Sequence, residues 1–349
     1  MKKPYFKRIN EISDNRLWIN NPTPCEADLA IEAGAIACTT NPTYSYKQLM
    51  NPETRAEVKD VIKKQAKQDQ SVQMAADAVQ QKLVARLAEK FYPLYHQNPG
   101  KQGFVSIQGN PFRDRVAENI IEEARRYRKI GKNIIVKMPV TKAGLQAIGV
   151  LIEEDVPILA TEVMSLSQAI TVNDLYKRVS KRSGHTPPIF ITHITGIFDQ
   201  YLQEYVAEHQ IYVQPDILWA AGCMVARKQY HVLKEQGIVG TMLSGGARGL
   251  HHLTEMIGSD LHITVNWKGT AETLIEQDPP IAYRMDTPSP QFMIDKLREK
   301  LPAFNAAWTE DGMTIEEFEA FGPVQLFRSM FCNGWSNLEE AIKQTRAEL

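Results

Sequence analysis

Cysteine is scarce in this 349-residue chain, and its four cysteines lie singly and far apart: Cys25, Cys38, Cys223 and Cys332. No CxxC or CxxH pair occurs, so we expect neither a disulfide framework nor a structural zinc site. His251 and His252 are consecutive on a predicted helix and should not converge on one ion. The sequence therefore predicts no metal site.

Long hydrophobic runs and an excess of one charge are also missing. No apolar run approaches the roughly 20 residues that span a bilayer, and no apolar segment typical of a signal peptide precedes Asp14. Forty basic residues face 41 acidic ones, so no general attraction draws the chain to nucleic acid or anionic membranes. We expect a cytoplasmic protein without nucleic-acid or membrane partners. One or two arginines would still suffice to hold a small anion.

Eight short apolar or β-branched segments alternate with helical patterns. The segments have the character of strands buried on both faces, and they cover residues 16–20, 35–39, 103–108, 133–138, 157–163, 188–194, 238–243 and 261–265. Helical spacing is clearest at 51–68, 74–91, 110–130, 141–154 (Thr141 cap), 165–181 (Ser165 cap) and 215–236. Eight βα units are the number that closes a barrel. An open doubly wound sheet is the alternative, but no GxGxxG or GxxxxGKS/T phosphate loop follows any strand. We predict an α/β fold with residues 1–284 forming a (β/α)8 TIM barrel.

The alternation of strand and helix patterns ends near residue 280. Four prolines interrupt the segment that follows the last predicted strand: Pro279, Pro280, Pro288 and Pro290. Amphipathic helical segments follow, so we predict that residues 285–349 form a C-terminal helical extension packed on the barrel. Its aromatic residues are more typical of packing than of a ligand cage: Phe318, Phe321, Phe327, Phe331 and Trp335. The extension either closes over the barrel mouth or mediates self-association as a homodimer, and the sequence leaves both open.

Lys137 is the main anomaly, because it lies inside the otherwise apolar strand NIIVKM, directly before Pro139. Lysine is rarely buried, since desolvating an ammonium group costs several kcal/mol. One interpretation is a strand-end lysine that reaches solvent or pairs with a carboxylate. The other is an amine whose pKa is lowered by burial, which could attack a carbonyl carbon and form an imine. Residues at the carboxyl ends of barrel strands face the active site, so Lys137 is suitably placed.

Neutral polar side chains stand at most of the other strand ends: Asn20, Thr39, Thr40, Asn41, Gln108, Thr161, Thr192 and Ser244. Each alone is explained by capping or by strand propensity. Together they would form a ring of hydrogen-bonding groups around Lys137, which suits a polyhydroxylated sugar. His193 is adjacent to Thr192 and must point to the opposite side of its strand, so a structural role is favoured for it.

Four segments, in order along roughly residues 15–270, resemble motifs of the transaldolase and fructose-6-phosphate aldolase family. CTTNPT at 38–43 is similar to its ATTNPS motif, and IVKMPVT at 135–141 is similar to its Schiff-base strand. ATEVMSLSQA at 160–169 resembles the following NxTLIFSxxQA segment, and SGGAR at 244–248 resembles the GASxR motif. The resemblance implies a class I aldolase-type enzyme that needs no cofactor and acts on a sugar or sugar phosphate.

The resemblance also implies residue roles. Lys137 would form the imine, and Thr161 would hold the water that carries protons. Asn41, with Thr40 beside it, would bind substrate hydroxyls, as would Thr192 and Ser244 at positions where the family contacts substrate. Arg248 would bind the sugar phosphate.

Departures from the family pattern concern proton transfer and phosphate binding. Asn20 stands at the strand end where the family has a catalytic Asp, and Ile197 replaces a phosphate-binding Arg. Gln108 stands where transaldolases have a catalytic Glu, although the fructose-6-phosphate aldolase branch also has Gln there, so Asn20 is the more serious departure. Glu162 is a candidate replacement carboxylate, but strand alternation points it outward if Thr161 points inward. We expect either a changed ketose substrate with a less charged tail, or a catalytically impaired paralogue that binds sugar phosphates. A barrel isomerase using carboxylates is disfavoured, because few Asp or Glu residues stand at strand ends.

Overall fold

Eight parallel strands close into one barrel in the computed structural model, which describes residues 3–349. Each strand pairs with its neighbours in chain order, and the last pairs with the first. The strands are β1 Arg16–Asn20, β2 Ala35–Thr39, β3 Val105–Gln108, β4 Ile134–Pro139, β5 Ile158–Val163, β6 Ile189–Ile194, β7 Thr241–Gly245 and β8 His262–Val265. The predicted (β/α)8 barrel is confirmed.

Helices connect the strands and surround the barrel. They are α1 Tyr5–Ile12, α2 Pro24–Ala33, α3 Tyr44–Met50, α4 Arg55–Ala66, α5 Val72–Gln97, α6 Ala117–Tyr127, α7 Lys142–Glu153, α8 Leu166–Ser183, α9 Thr195–Glu208, α10 Pro215–Glu235, α11 His251–Thr254, α12 Glu272–Gln277, α13 Gln291–Lys300, α14 Pro302–Trp308 and α15 Gly322–Ala347. The predicted caps are confirmed: the Thr141 hydroxyl accepts from the Gly144 amide, and the Ser165 hydroxyl accepts from the Gln168 amide. Among the described residues, no helix combines the length and the apolarity needed to cross a bilayer.

Several predicted boundaries are wrong by two or more residues, and two of them bear on residues near the site. The helix expected from residue 110 begins at Ala117, because the Asn110 side chain accepts from the Phe112 amide and holds residues 110–116 in turns. Strand β7 was expected at 238–243 but runs from Thr241 to Gly245. Ser244 therefore lies within β7 rather than beyond its end.

Large apolar side chains fill the centre of the barrel: Trp18, Ala37, Phe104, Ile135, Leu159, Phe190 and Leu243. The rings of Trp18 and Phe190 meet edge to face with centroids 4.8 Å apart, and the Trp18 indole N–H donates to His262 Nδ1 at 3.0 Å. Because side chains alternate along a strand, residues two positions further on face the open carboxyl end above this layer. Asn20, Thr39, Lys137 and Thr192 are placed there by this alternation.

The last helix, α15, packs against α3, α4, α5 and α9 and also contacts β5. Its residues Phe331 and Trp335 are buried, and Gly334 allows a close approach to α3, since a Cβ there would lie 2.7 Å from Thr43 Cγ2. This helix therefore crosses the carboxyl end of the barrel rather than extending away from it. The domain boundary at residue 284 remains a prediction.

Candidate active site

Lys137 lies at the carboxyl end of β4 with only 6% of its surface exposed. Within residues 3–349, its Nζ makes no hydrogen bond and has no carboxylate within 4 Å. The nitrogen instead lies 6.0 Å from the ring centroid of Phe327 and 5.6 Å from that of Phe331. Burial lowers the pKa of Lys137 to about 8, although the Glu162 charge opposes the shift. This environment favours a nucleophilic amine over a snorkelling or paired lysine.

Lys137 opens into a cavity of about 80 Å³ at the carboxyl end of the barrel. Phe327, Met330 and Phe331 of α15 form an aromatic roof over this cavity. Ligand pockets usually enclose about 300–1,000 Å³, so this cavity is smaller than a bound ketose requires. A larger cavity of about 890 Å³ lies at the opposite end of the barrel, beside Arg16 and His262. That end of a TIM barrel serves stability rather than chemistry.

Five of the nine site residues predicted from sequence line this cavity: Asn20, Asn41, Lys137, Thr192 and Arg248. The Thr192 hydroxyl is buried and has no hydrogen-bond partner in the described part of the chain, whereas Asn20 donates to Asn266 Oδ1 at 2.9 Å. The structure therefore brings the predicted nucleophile together with hydroxyl, amide and guanidinium groups.

The other four predicted site residues do not line the cavity: Thr40, Gln108, Thr161 and Ser244. Thr40 Oγ1 donates to the Ser106 carbonyl at 2.6 Å, and Ser244 Oγ bonds Thr195 Oγ1 at 2.7 Å. These partners correct the expectation that Thr40 and Ser244 face the barrel centre. Ser244 turns outward because it alternates with Gly245, which lines the cavity.

Glu162 corrects the argument from strand alternation. The pairing of β5 with β6 is irregular between Ala160 and Val163, and Glu162 has a φ of +63°. This bulge redirects the side chain, so that Glu162 Oε1 accepts from Gln108 Nε2 at 3.2 Å while the residue is fully buried. Burial raises the pKa of Glu162 to about 8, with Asp114 adding to the shift and Lys137 opposing it. The charges of Glu162 and Lys137 therefore interact, although Glu162 lies more than 4 Å from Nζ and does not line the cavity.

Two cations border the cavity at its rim, Lys47 of α3 and Arg248 after β7. Neither has a carboxylate within 4 Å in the part of the chain that the structure describes. Arg248 Nε donates to Gln200 Oε1 at 2.8 Å. Desolvation and the charge of Arg248 lower the pKa of Lys47. Two unneutralised cations facing one cavity favour an anionic ligand group there. Sequence reasoning missed Lys47, which lies six residues after Asn41.

A buried dyad supports the backbone beside Arg248. His252 Nδ1 accepts from the Arg248 and Gly249 amides at 3.0 and 3.1 Å, and His252 Nε2 lies 2.7 Å from Asp199 Oδ2. Since Nδ1 accepts two N–H groups, Nε2 carries the proton and donates it to Asp199. The dyad thus fixes the loop that presents Arg248.

His251 and His252 do converge, which corrects the expectation from sequence. Together with Cys223 they place one potential ligand atom each within 4.8 Å of the others. Both nitrogens of His252 are nevertheless engaged, so the cluster as it stands supports the loop rather than offering three free ligands. His193 is buried away from the cavity, and burial lowers its pKa to about 4, in keeping with the structural role favoured from sequence.

The fold and site define a (β/α)8 barrel protein with a desolvated lysine at the carboxyl end of its fourth strand. The chain belongs to the transaldolase/fructose-6-phosphate aldolase family, whose model matches residues 22–315.

The curated relatives share low sequence identity with this chain, and they align to only about half of it. The transaldolase of Neisseria meningitidis is 28% identical over 194 residues, which are 52% of this chain and 54% of that protein. The transaldolase of Mycobacterium bovis is 26% identical over 184 residues, covering 51% and 47% of the two chains. The match thus spans about half the length of these relatives. Among solved structures, 2,3-dimethylmalate lyase covers 84% of this chain and 95% of its own at 10% identity, and its TM-score of 0.30 is too low to bear on function.

Proposed function

We propose that this protein is a class I aldolase or transaldolase, which forms a Schiff base between Lys137 and the ketone carbon of a ketose phosphate. The observation that carries the proposal is the environment of Lys137, which is buried, free of ion pairs within the described chain and open to a cavity lined by polar groups. An amine in such a site is neutral more often at pH 7 than a solvated lysine and is therefore a better nucleophile.

The reaction follows from the chemistry of the imine. Lys137 Nζ adds to the ketone carbon, and loss of water gives an iminium ion. A base then removes the proton of the C4 hydroxyl, the bond between the third and fourth carbons breaks, its electron pair converts the iminium into an enamine, and an aldehyde leaves. The enamine is either protonated, which completes an aldol cleavage, or adds to a second aldehyde, which completes a transfer. The iminium itself withdraws the electrons, so the step needs no further electrophile.

Lys47 and Arg248 support a phosphorylated tail for the substrate. Replacement of a phosphate-binding arginine by Ile197 pointed to a less charged tail, but Lys47 supplies a second cation from α3 at the same cavity. Both residues are partly exposed at the rim, where the distal end of a bound sugar would lie. A guanidinium and an ammonium group at one site are typical ligands of a phosphate.

Borohydride reduction tests the proposal. Incubation with fructose 6-phosphate or dihydroxyacetone and then borohydride should add one reduced substrate or ketol unit to the mass of the wild type. Lys137→Met should gain no such mass. Lys142→Met, which removes an exposed lysine only five residues away, should react like the wild type. Absence of any adduct in the wild type would overturn the proposal.

The rival proposal is a catalytically impaired paralogue that only binds sugar phosphates. It rests on Asn20 and Gln108, amides at the two positions where the family carries carboxylates. This rival predicts thermal stabilisation by fructose 6-phosphate without any covalent adduct. A homodimer and a cytoplasmic location remain predictions.

A further inference from the structure

The bulge in β5 is an irregularity that the barrel itself does not require. Glu162 occupies the left-handed region at φ +63°, which is uncommon for a residue other than Gly, Asn or Asp. Such backbone strain persists only where the surrounding structure enforces it. It places a fully buried carboxyl group in the barrel, which is costly in itself. Two unfavourable features at one residue indicate a functional demand.

Strand register locates the carboxyl group relative to the nucleophile. Gln108 of β3 is the direct partner of Lys137 of β4, and Glu162 belongs to β5 on the far side of β4. The register partner of Lys137 on β5 is Leu159, three residues before Glu162. The hydrogen bond from Gln108 Nε2 to Glu162 Oε1 joins side chains of the two strands that flank β4. Among residues 3–349, the second oxygen, Glu162 Oε2, is buried without a hydrogen-bond partner, and so is the neighbouring Thr161 hydroxyl.

Charged groups from three other elements face Glu162. Lys137 approaches from β4, Asp114 from the turns after β3, and Arg328 with Cys332 from α15. Arg328 and Asp114 pair with each other at 3.0 Å, which largely cancels their charges. Of Lys137, Asp114 and Arg328, Lys137 alone has no ion-pair partner within 4 Å among residues 3–349.

We propose that Glu162 is the acid–base residue of the Schiff-base reaction, in place of the carboxylates missing at Asn20 and Gln108. This inference rests on the proposed imine at Lys137. The typical family sequence has an apolar residue at this position, in the stretch that corresponds to TEVM here. Neither the family pattern nor strand alternation assigns the role.

The proton balance closes with one carboxyl group. As the Lys137 amine adds to the ketone, protonated Glu162 gives its proton to the ketone oxygen and accepts the proton that the nitrogen loses, which produces a carbinolamine and leaves Glu162 protonated. Glu162 then donates this proton to the carbinolamine hydroxyl, the C–O bond breaks, and water, an iminium and a carboxylate result. The carboxylate next removes the proton of the C4 hydroxyl as the C3–C4 bond breaks, which regenerates the acid and releases the aldehyde.

Glu162→Gln provides the test because it keeps the shape and the hydrogen bond to Gln108. The rate of imine formation with dihydroxyacetone, followed by borohydride quenching and intact mass, should fall about 10²- to 10⁴-fold, the usual worth of general acid–base catalysis. A purely electrostatic role predicts the opposite sign, because removing the negative charge lowers the pKa of Lys137 further and leaves more neutral amine. Glu123→Gln is the matched control, since burial also raises the pKa of Glu123 to about 8 outside the barrel, and it should leave the rate within about threefold.

Rescue separates chemistry from structural damage. Adding Gln108→Glu to Glu162→Gln returns a carboxylate to the same hydrogen-bonded pair. The rate of imine formation in the double variant should be at least about tenfold higher than in Glu162→Gln. A rate in Glu162→Gln equal to or above that of the wild type would overturn the inference while leaving the Schiff base intact. A wild type that forms no adduct would instead overturn the proposed function.

Discussion

Truncating Phe331 to alanine tests whether the aromatic roof controls the reactivity of Lys137. Phe331 is 1% exposed, and its ring lies nearer to Nζ than that of Phe327. Removing it opens the cavity to water, so the Lys137 ammonium becomes solvated and the pKa of Lys137 rises from about 8 towards the ordinary 10.5.

The size of the change follows from two opposing effects. Full rehydration would raise the pKa by roughly 2.5, equivalent to roughly 3.4 kcal/mol and a 300-fold loss of neutral amine at pH 7. Loss of the cation–π contact removes about 0.5–2 kcal/mol of stabilisation from the ammonium and offsets part of that rise. We expect a net increase of roughly 1 to 2 pKa units, hence a rate of imine formation at pH 7 that is about 10- to 100-fold lower.

The assay is the pH dependence of imine trapping with dihydroxyacetone, and its readout is the midpoint rather than the maximal rate, because the variant also widens the cavity. Phe331→Ala should cost about 3–5 kcal/mol of folding free energy, so the rates are compared well below the melting temperature. Leu338→Ala on the same helix, equally buried but away from Lys137, controls for destabilisation and should keep the wild-type midpoint. A folded Phe331→Ala protein with an unshifted midpoint would refute the argument that the roof desolvates the amine.

Three further outcomes are expected. Gly196→Ala should weaken binding of inorganic phosphate at least about tenfold and change dihydroxyacetone trapping little. The added Cβ would lie 2.6 Å from the Arg248 amide nitrogen and would displace the loop that carries Arg248. Calorimetry measures the phosphate affinity, and an unchanged affinity would contradict this prediction. Lys47→Met should raise KM for fructose 6-phosphate about tenfold and leave dihydroxyacetone trapping unchanged, whereas the exposed control Lys59→Met should alter neither. The stability of Glu162→Gln relative to the wild type should increase as pH rises from about 4.5 to about 8, because the raised pKa of Glu162 makes its ionisation unfavourable in the folded wild type. The urea midpoints of the two proteins are compared at pH 5 and at pH 9. An equal difference between their midpoints at both pH values would contradict this prediction.

The barrel could be predicted from sequence because its strands are buried on both faces. Continuous apolar segments such as 133–138 and 188–194 need no tertiary information to be recognised. Lys137 was found for the same reason, as a charge interrupting such a segment. The β7 boundary was misjudged because Ile238 and Val239 are apolar and β-branched, yet they lie in the connection before the strand.

The rest of the site depends on geometry that the sequence does not encode locally. Alternation predicted an outward Glu162, and no glycine or proline nearby marks the bulge that reverses it. Lys47 belongs to an ordinary helix, and only the closed barrel brings it to the same cavity as Arg248. The roof residues Phe327 and Phe331 were assigned to packing, and they do pack, but their partner is Lys137 itself.

The amide at position 108 is best explained together with the buried carboxyl group of Glu162, to which it is hydrogen-bonded. If residue 108 were a glutamate, two buried carboxyl groups would lie within hydrogen-bonding distance of each other, and one of them would have to stay protonated. An amide at 108 instead donates to Glu162 Oε1 and leaves Oε2 free for the proton that Lys137 chemistry requires. If Glu162 is the acid–base residue as proposed, the amide at the third strand complements a carboxylate on the fifth strand and does not by itself indicate that catalysis has been lost.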